Sequence, residues 1–165
     1  EHCYKLFELG VEKILFNNIL FNDFNFLSDF VKIFGSQSMI ISINTLYKND
    51  GYYIYNYEKK KITNQRLDNY FKEVLKINPG EILLQSVDRD GSNKGLDFKI
   101  LNKIKNTSNI PIILAGGLKS YQEILDAKKM QLDAVAGSYF FTMHGKFNSI
   151  LISYLNTKQI QEVRE

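Results

Sequence analysis

The chain has 165 residues, 44% of them hydrophobic, and a formal net charge of +3. That is the length and apolar content of one domain with ample core, and the charge is too small and too scattered for a nucleic-acid footprint. A single cysteine, Cys3, excludes an internal disulfide framework and fits a reducing cytoplasm, and no apolar run is long enough to span a bilayer.

The pattern is helical from the outset, with Tyr4, Leu6, Phe7 and Leu9 stopped by Gly10. Glu1 rather than methionine opens it, so the chain is expected to be an interior piece of a longer protein. Residues 11–16 read as a first strand that gives way to Asn17 and Asn18. A helix is expected over residues 24–34, with Leu27, Phe30, Val31 and Phe34 on one face and Gly35 at a left-handed cap. Residues 39–43 form the second strand, followed by Asn44. The Asp50-Gly51 turn signal then introduces residues 52–57 and 61–63, a small two-stranded excursion on the surface with Lys59, Lys60 and Lys61 at its solvated tip.

Asn64 is placed to cap a third helix, residues 65–77, with Leu67, Tyr70, Phe71, Val74 and Leu75 facing inward. That helix leads to GEILLQSVDRDGSNKG, residues 80–95, around which the chain is organised. Its apolar run from Ile82 to Leu84 suits a strand buried on both faces of a parallel sheet, so the loop at its carboxyl end, beginning at Asp88, carries any chemistry. Asp97 then caps a helix with Phe98, Leu101 and Ile104, and a fourth strand closes on Ala115-Gly116-Gly117. Ser120 and Glu123 form a capping box for the helix with Ile124, Leu125 and Met130. A fifth strand ends in Gly137-Ser138, and a last helix is expected to begin near Lys146. The strands are thus expected near residues 11–16, 39–43, 81–87, 110–115 and 133–138, all within a single domain.

Strands alternating with helices, each followed by a polar loop on the same end, indicate parallel βα units. A doubly wound open sheet fits that alternation. A barrel is favoured by an internal echo, because the passage ending VEKILFN at Asn17 resembles the one ending LDAVAGS at Ser138. A complete (βα)8 barrel needs roughly 250 residues, so this length holds about five of its eight units.

Gly116, Gly117, Gly137 and Ser138 close the last two strands, where a barrel binds phosphate: glycine lets backbone N–H groups approach an anion, and Ser138 adds a hydroxyl donor. A Gly-Gly pair alone is usually only a turn. Asp88 and Asp90 flank Arg89 and read either as an Asx-type turn or as a carboxylate held at the barrel mouth to orient a substrate or move a proton. His2 and His144 are too far apart in sequence to suggest a metal site, and a loop histidine such as His144 is more often merely polar.

The stretches GEILLQSVDRDGSNKG, IPIILAGG and DAVAGSYFF, extended back through FGSQSMIISIN and VEKILFNN, resemble the C-terminal part of the cyclase subunit of imidazole glycerol phosphate synthase over nearly the whole chain. DRDG followed at this spacing by G-L-D is quite specific. The resemblance implies an α/β fold, five βα units of a (βα)8 TIM barrel of the ribulose-phosphate-binding type, with the first three units absent. It implies a cytoplasmic lyase-type synthase subunit, without cofactor or metal, that takes ammonia from a glutaminase partner in a heterodimer. Carried over residue by residue, Asn17 and Asn18 serve one substrate phosphate, and Gly91, Gly117, Gly137 and Ser138 the other, with Asp90 beside the substrate. Lys13 and Glu81 match members of the charged ring that gates ammonia at the opposite face.

Two departures matter. Asn44 stands where the family carries a catalytic aspartate, and an amide has no titratable proton for general acid or base work. The tail FFTMHGKFNSILISY looks more like a paralogous branch in which barrel and glutaminase supply ammonia to a sugar amidotransferase that builds acetamidino groups on surface-polysaccharide or nonulosonic sugars. That branch is the favoured expectation, and a true histidine-pathway cyclase is the alternative. A non-catalytic fragment that binds phosphate or docks to a glutaminase is a third reading.

Overall fold

The computed structural model describes residues 1–17, 23–104, 109–145 and 149–164. In chain order the elements are α1 (His2–Glu8), β1 (Ile14–Asn17), α2 (Phe24–Phe34), β2 (Met39–Lys48), β3 (Gly51–Asn56), β4 (Lys61–Arg66), α3 (Leu67–Ile77) and β5 (Glu81–Ser86). A 3-10 segment, Phe98–Lys103, precedes β6 (Ile112–Ala115), α4 (Tyr121–Lys129) and β7 (Ala134–Ala136). The chain continues through α5 (Tyr139–Thr142), a small hairpin of β8 (Met143–His144) and β9 (Ser149–Ile150), and α6 (Thr157–Arg164).

The parallel strands lie in the order β1, β2, β5, β6, β7, so each βα unit places its strand beside the one before it. A doubly wound sheet reverses its order at a switch point, and this sheet does not. An unreversed run of parallel βα units is the wall of a barrel, and the fold is α/β, made of partial (βα)-barrel units.

Register assigns each strand two faces. Ile41, Ile82 and Ile112 align in one row and Ile43, Leu84 and Leu114 belong to the next on the same side, facing the helices. Ile41, Ile43, Ile82, Leu84 and Leu114 are each no more than 1% exposed. They pack with Leu27 and Phe30 of α2 and with Leu67, Phe71 and Val74 of α3 into one core. The opposite, inner face is less covered, and Leu15 of β1 is 46% exposed. α2 forms where expected: Asp23 caps it through the Phe26 N–H at 2.9 Å, and its apolar stripe meets Phe16 edge to face and Phe7 tilted or stacked.

Several local expectations are corrected. Gly35 has a positive φ of 85° with ψ of 152°, so it needs glycine but is not a left-handed cap. β2 runs on to Lys48 because its last residues pair antiparallel with β3, and the hairpin is therefore part of the main sheet, with Tyr52 and Ile54 buried. β4 extends through Arg66, so Asn64 is a strand residue and α3 begins at Leu67 without a side-chain cap. Asp97 does cap the following segment through the Lys99 N–H, but that segment is 3-10 rather than α. Ser120 makes no side-chain cap, and the Glu123 carboxylate, the other half of the expected box, is drawn to the N–H groups of Leu96 and Lys119. Lys146 lies outside the described residues, and the last helix begins at Thr157.

Candidate functional site

The site follows from one line of register on the inner face. Asn44, Gln85, Ala115 and Ala136 stand side by side across β2, β5, β6 and β7, at the carboxyl ends of the strands. The row passes from amides to alanines, and the small side chains leave space. A cavity of about 370 Å³ opens there, lined by Leu83, Gln85, Asp90, Gly91, Ala115, Gly116, Gly117, Leu118, Ala136, Gly137, Ser138 and Tyr139. Asp90, Gly91, Gly116, Gly117, Gly137 and Ser138, separated by up to 48 residues in sequence, are thus brought around one space.

Backbone geometry explains two of the glycines on its own. Gly116 and Gly117 have φ of +95° and +91°, and a Cβ on Gly117 would stand 2.6 Å from the Gly95 carbonyl oxygen. This pair would be glycine in any tight turn; what the tertiary structure adds is that the turn borders the cavity. Asp90 Oδ2 accepts a hydrogen bond from Gln85 Nε2 at 3.0 Å, which orients the carboxylate across the end of β5. Tyr57, at the turn between β3 and β4, stands within electrostatic reach of it. Burial first, then the Asp90 carboxylate and Tyr55, raise the Tyr57 hydroxyl above its ordinary value of 10.0.

Asn44 and Asn17 lie beside the cavity and do not line it. Asn44 is 2% exposed, donates through Nδ2 to Asn17 Oδ1, and accepts from Ser42 Oγ at 3.3 Å. This neutral network joins β1 to β2 on the inner face. Asn18 lies outside the described residues. Lys13 and Glu81 are ion-paired at the amino ends of β1 and β5, the opposite rim from Asp90, with the Glu81 side chain 22% exposed and that of Lys13 40%. His144 is in the terminal hairpin, bonded to Ser153 Oγ at 2.9 Å, away from the cavity lining.

Sequence reading missed Gln85, Ala115, Ala136, Leu118 and Tyr139. Counting by twos along β5 from Glu81 gives Leu83 and Gln85 as residues of the inner face, so that part was available from strand periodicity. Among the described residues no group of His, Cys, Asp or Glu is arranged to hold a metal ion, and no helix is long and apolar enough to cross a membrane.

The chain is 30% identical over 162 residues to a protein of Pseudomonas aeruginosa provisionally named imidazole glycerol phosphate synthase subunit hisF2, covering 97% of this chain and 64% of that protein. A similarly provisional hisF2 of Campylobacter jejuni is 33% identical over 141 residues, covering 86% and 56%. The imidazole glycerol phosphate synthase subunit HisF of Natranaerobius thermophilus is 31% identical over 161 residues, covering 95% and 63%. The chain therefore spans less than two thirds of the length of these curated relatives. The sequence pattern of the family described as "Histidine biosynthesis protein" matches residues 1–146, nearly all of the βα units described above. By that match the chain belongs to the histidine biosynthesis protein family.

Proposed function

We propose that this chain is the phosphate-holding part of a cyclase-subunit-like barrel that uses ammonia from a glutaminase partner, in the branch that places acetamidino groups on surface-polysaccharide or nonulosonic sugars. The observation that carries this reading is Asn44. A side chain on the inner face beside the cavity, 2% exposed and tied to Asn17 and Ser42, is an amide that can neither give nor take a proton at neutral pH. Acid-base work at that point of the site is absent, while the cavity bordered by glycines remains open for an anion.

In this reading the backbone N–H groups around Gly91, Gly116, Gly117 and Gly137, with the Ser138 hydroxyl, hold a phosphate of a small-molecule substrate. Asn17 and Asn18 serve a second phosphate. Asp90, oriented by Gln85, is among the described residues the one carboxylate lining the cavity and orients the substrate or moves a proton. Lys13 and Glu81 gate ammonia at the opposite rim, where the glutaminase docks, and the assembly works in the cytoplasm without cofactor or metal, alongside a sugar amidotransferase. One barrel domain accounts for the described residues.

A second reading, cyclisation in the histidine pathway, is favoured by the Asp90 carboxylate in the cavity and by the HisF name of the Natranaerobius relative. A third, a non-catalytic phosphate-binding or docking fragment, is favoured by the half-exposed Leu15 on the inner face of β1. The test is to give the full-length protein free ammonium and the histidine-pathway substrate, following imidazole glycerol phosphate and substrate binding. Binding without turnover is expected. Clear turnover would mean that Asn44 is tolerated and would overturn the sugar-branch reading; absence of binding would leave the docking reading.

A further inference from the structure

The loop that carries Asp90 and Gly91 is braced from outside the cavity. Arg89 points away from the cavity lined by its neighbour Asp90, and donates through Nη1 to the Gly95 carbonyl at 3.0 Å, closing residues 89–95 on themselves. The same guanidinium has its Nε 3.8 Å from Asp97 Oδ2. That oxygen also accepts from the Tyr52 hydroxyl at 2.8 Å, while Oδ1 accepts from the Lys99 N–H at 3.2 Å. Tyr52 belongs to β3, so a single carboxylate joins the hairpin to the loop.

Asp97 and Tyr52 are each 6% exposed, so these are bonds made largely out of water, where an unmet partner is costly. A second cavity of about 560 Å³ flanks the group, lined in part by Tyr47, Tyr52, Arg89 and Asp97. On that side the loop lacks close packing, and the polar bonds across the gap hold it. From Arg89 the connection reaches the cavity wall directly: the Gly95 N–H donates to the Gly117 carbonyl at 2.8 Å, and the space beside Gly117 Cα is bounded by Arg89 Cβ.

We infer that Tyr52 and Asp97 are positioning residues of the anion site, acting through Arg89 to set where residues 90 and 91 stand relative to Gly117. This rests on the phosphate reading of the cavity. The hairpin is thereby a brace of the site rather than a surface ornament, and a change in its position alters anion affinity without any contact between hairpin and anion.

The experiment is a titration of the full-length protein with inorganic phosphate, following the backbone amide resonances of Gly91, Gly117 and Gly137, for wild type, Tyr52→Phe and Asp97→Asn. Tyr52→Phe removes one oxygen and keeps the ring packed. It is expected to weaken phosphate roughly fivefold, about the worth of one net hydrogen bond, and to move the Gly91 resonance of the free protein while Gly137 stays in place, with some fall in melting temperature from the Asp97 oxygen left without its donor. Asp97→Asn is expected to act in the same direction and more strongly. Wild-type affinity with an unmoved Gly91 in Tyr52→Phe would overturn the inference, as would an equal disturbance of all three glycines. If wild type itself ignores phosphate, the phosphate reading falls. The brace is then judged on the free-protein Gly91 resonance alone, moved in its favour or unmoved against it.

Discussion

The two faces of the same strands differ in burial and in chemistry. In β5, Ile82 and Leu84 point to the helices and are fully buried, whereas Leu83 and Gln85 point to the inner face and border a cavity. Adjacent residues therefore have different duties: one row supplies apolar burial, the next supplies shape and hydrogen bonds. The inner row passes from amide to alanine across the sheet, while the rows facing the helices stay apolar.

The largest effect that would test this separation is in neighbouring residues of β5. Leu84→Ala is expected to cost about 2–5 kcal/mol, through lost burial and the cavity left behind, measured as a fall in the urea midpoint. Gln85→Ala is expected to stay within about 0.5 kcal/mol while weakening phosphate binding, since Asp90 loses its orienting amide. Equal destabilisation by the two would show that the inner face is core as well.

An intermediate effect sharpens the comparison at its most polar point. Asn44→Asp places a carboxyl where burial disfavours charge, raising its pKa above the ordinary carboxylate value. Since the folded-state pKa is the higher one, the folded state is favoured at low pH and penalised as pH rises through that value. The variant is expected to lose about 1–3 kcal/mol at neutral pH and to recover part of it near pH 4, read from denaturation at the two pH values. A variant as stable as wild type at pH 7 would mean that the Asn17 and Ser42 network accommodates a full charge.

The smallest effect lies at the opposite rim. Lys13 and Glu81 are paired but partly exposed, so Lys13→Ala is expected to cost less than about 1 kcal/mol in thermal denaturation. A larger loss would place the pair among the supports of the sheet.

Much of the frame was legible because its signals are local. The stripe of Leu27 and Phe30 belongs to one helix, and α2 spans the residues expected of it. The capping box at Ser120 failed for the opposite reason: Glu123 found the N–H of Leu96, 27 residues away in sequence, a competitor that no local pattern contains. The hairpin was recognised from its turn residues, yet its attachment to β2 depends on pairing between Thr45 and Ile54 and on burial of Tyr52 against Asp97. At the site, the glycines and Asp90 could be named from the ends of their strands, while Ala115 and Ala136 carry no chemical signal and matter only through the space they leave.

By itself, the sequence determined the alternation of short apolar strands with helices, the barrel-like family and the placing of glycine and acid at strand ends, since these follow from periodicity, turn residues and contiguous motifs. The tertiary structure alone decided that Asn44 meets Asn17, that the loop after β5 is braced by Tyr52 through Asp97, and that six marked residues share one cavity. Those facts depend on register between strands distant in sequence, and a parallel sheet sets register by packing across strands rather than by any stretch within one.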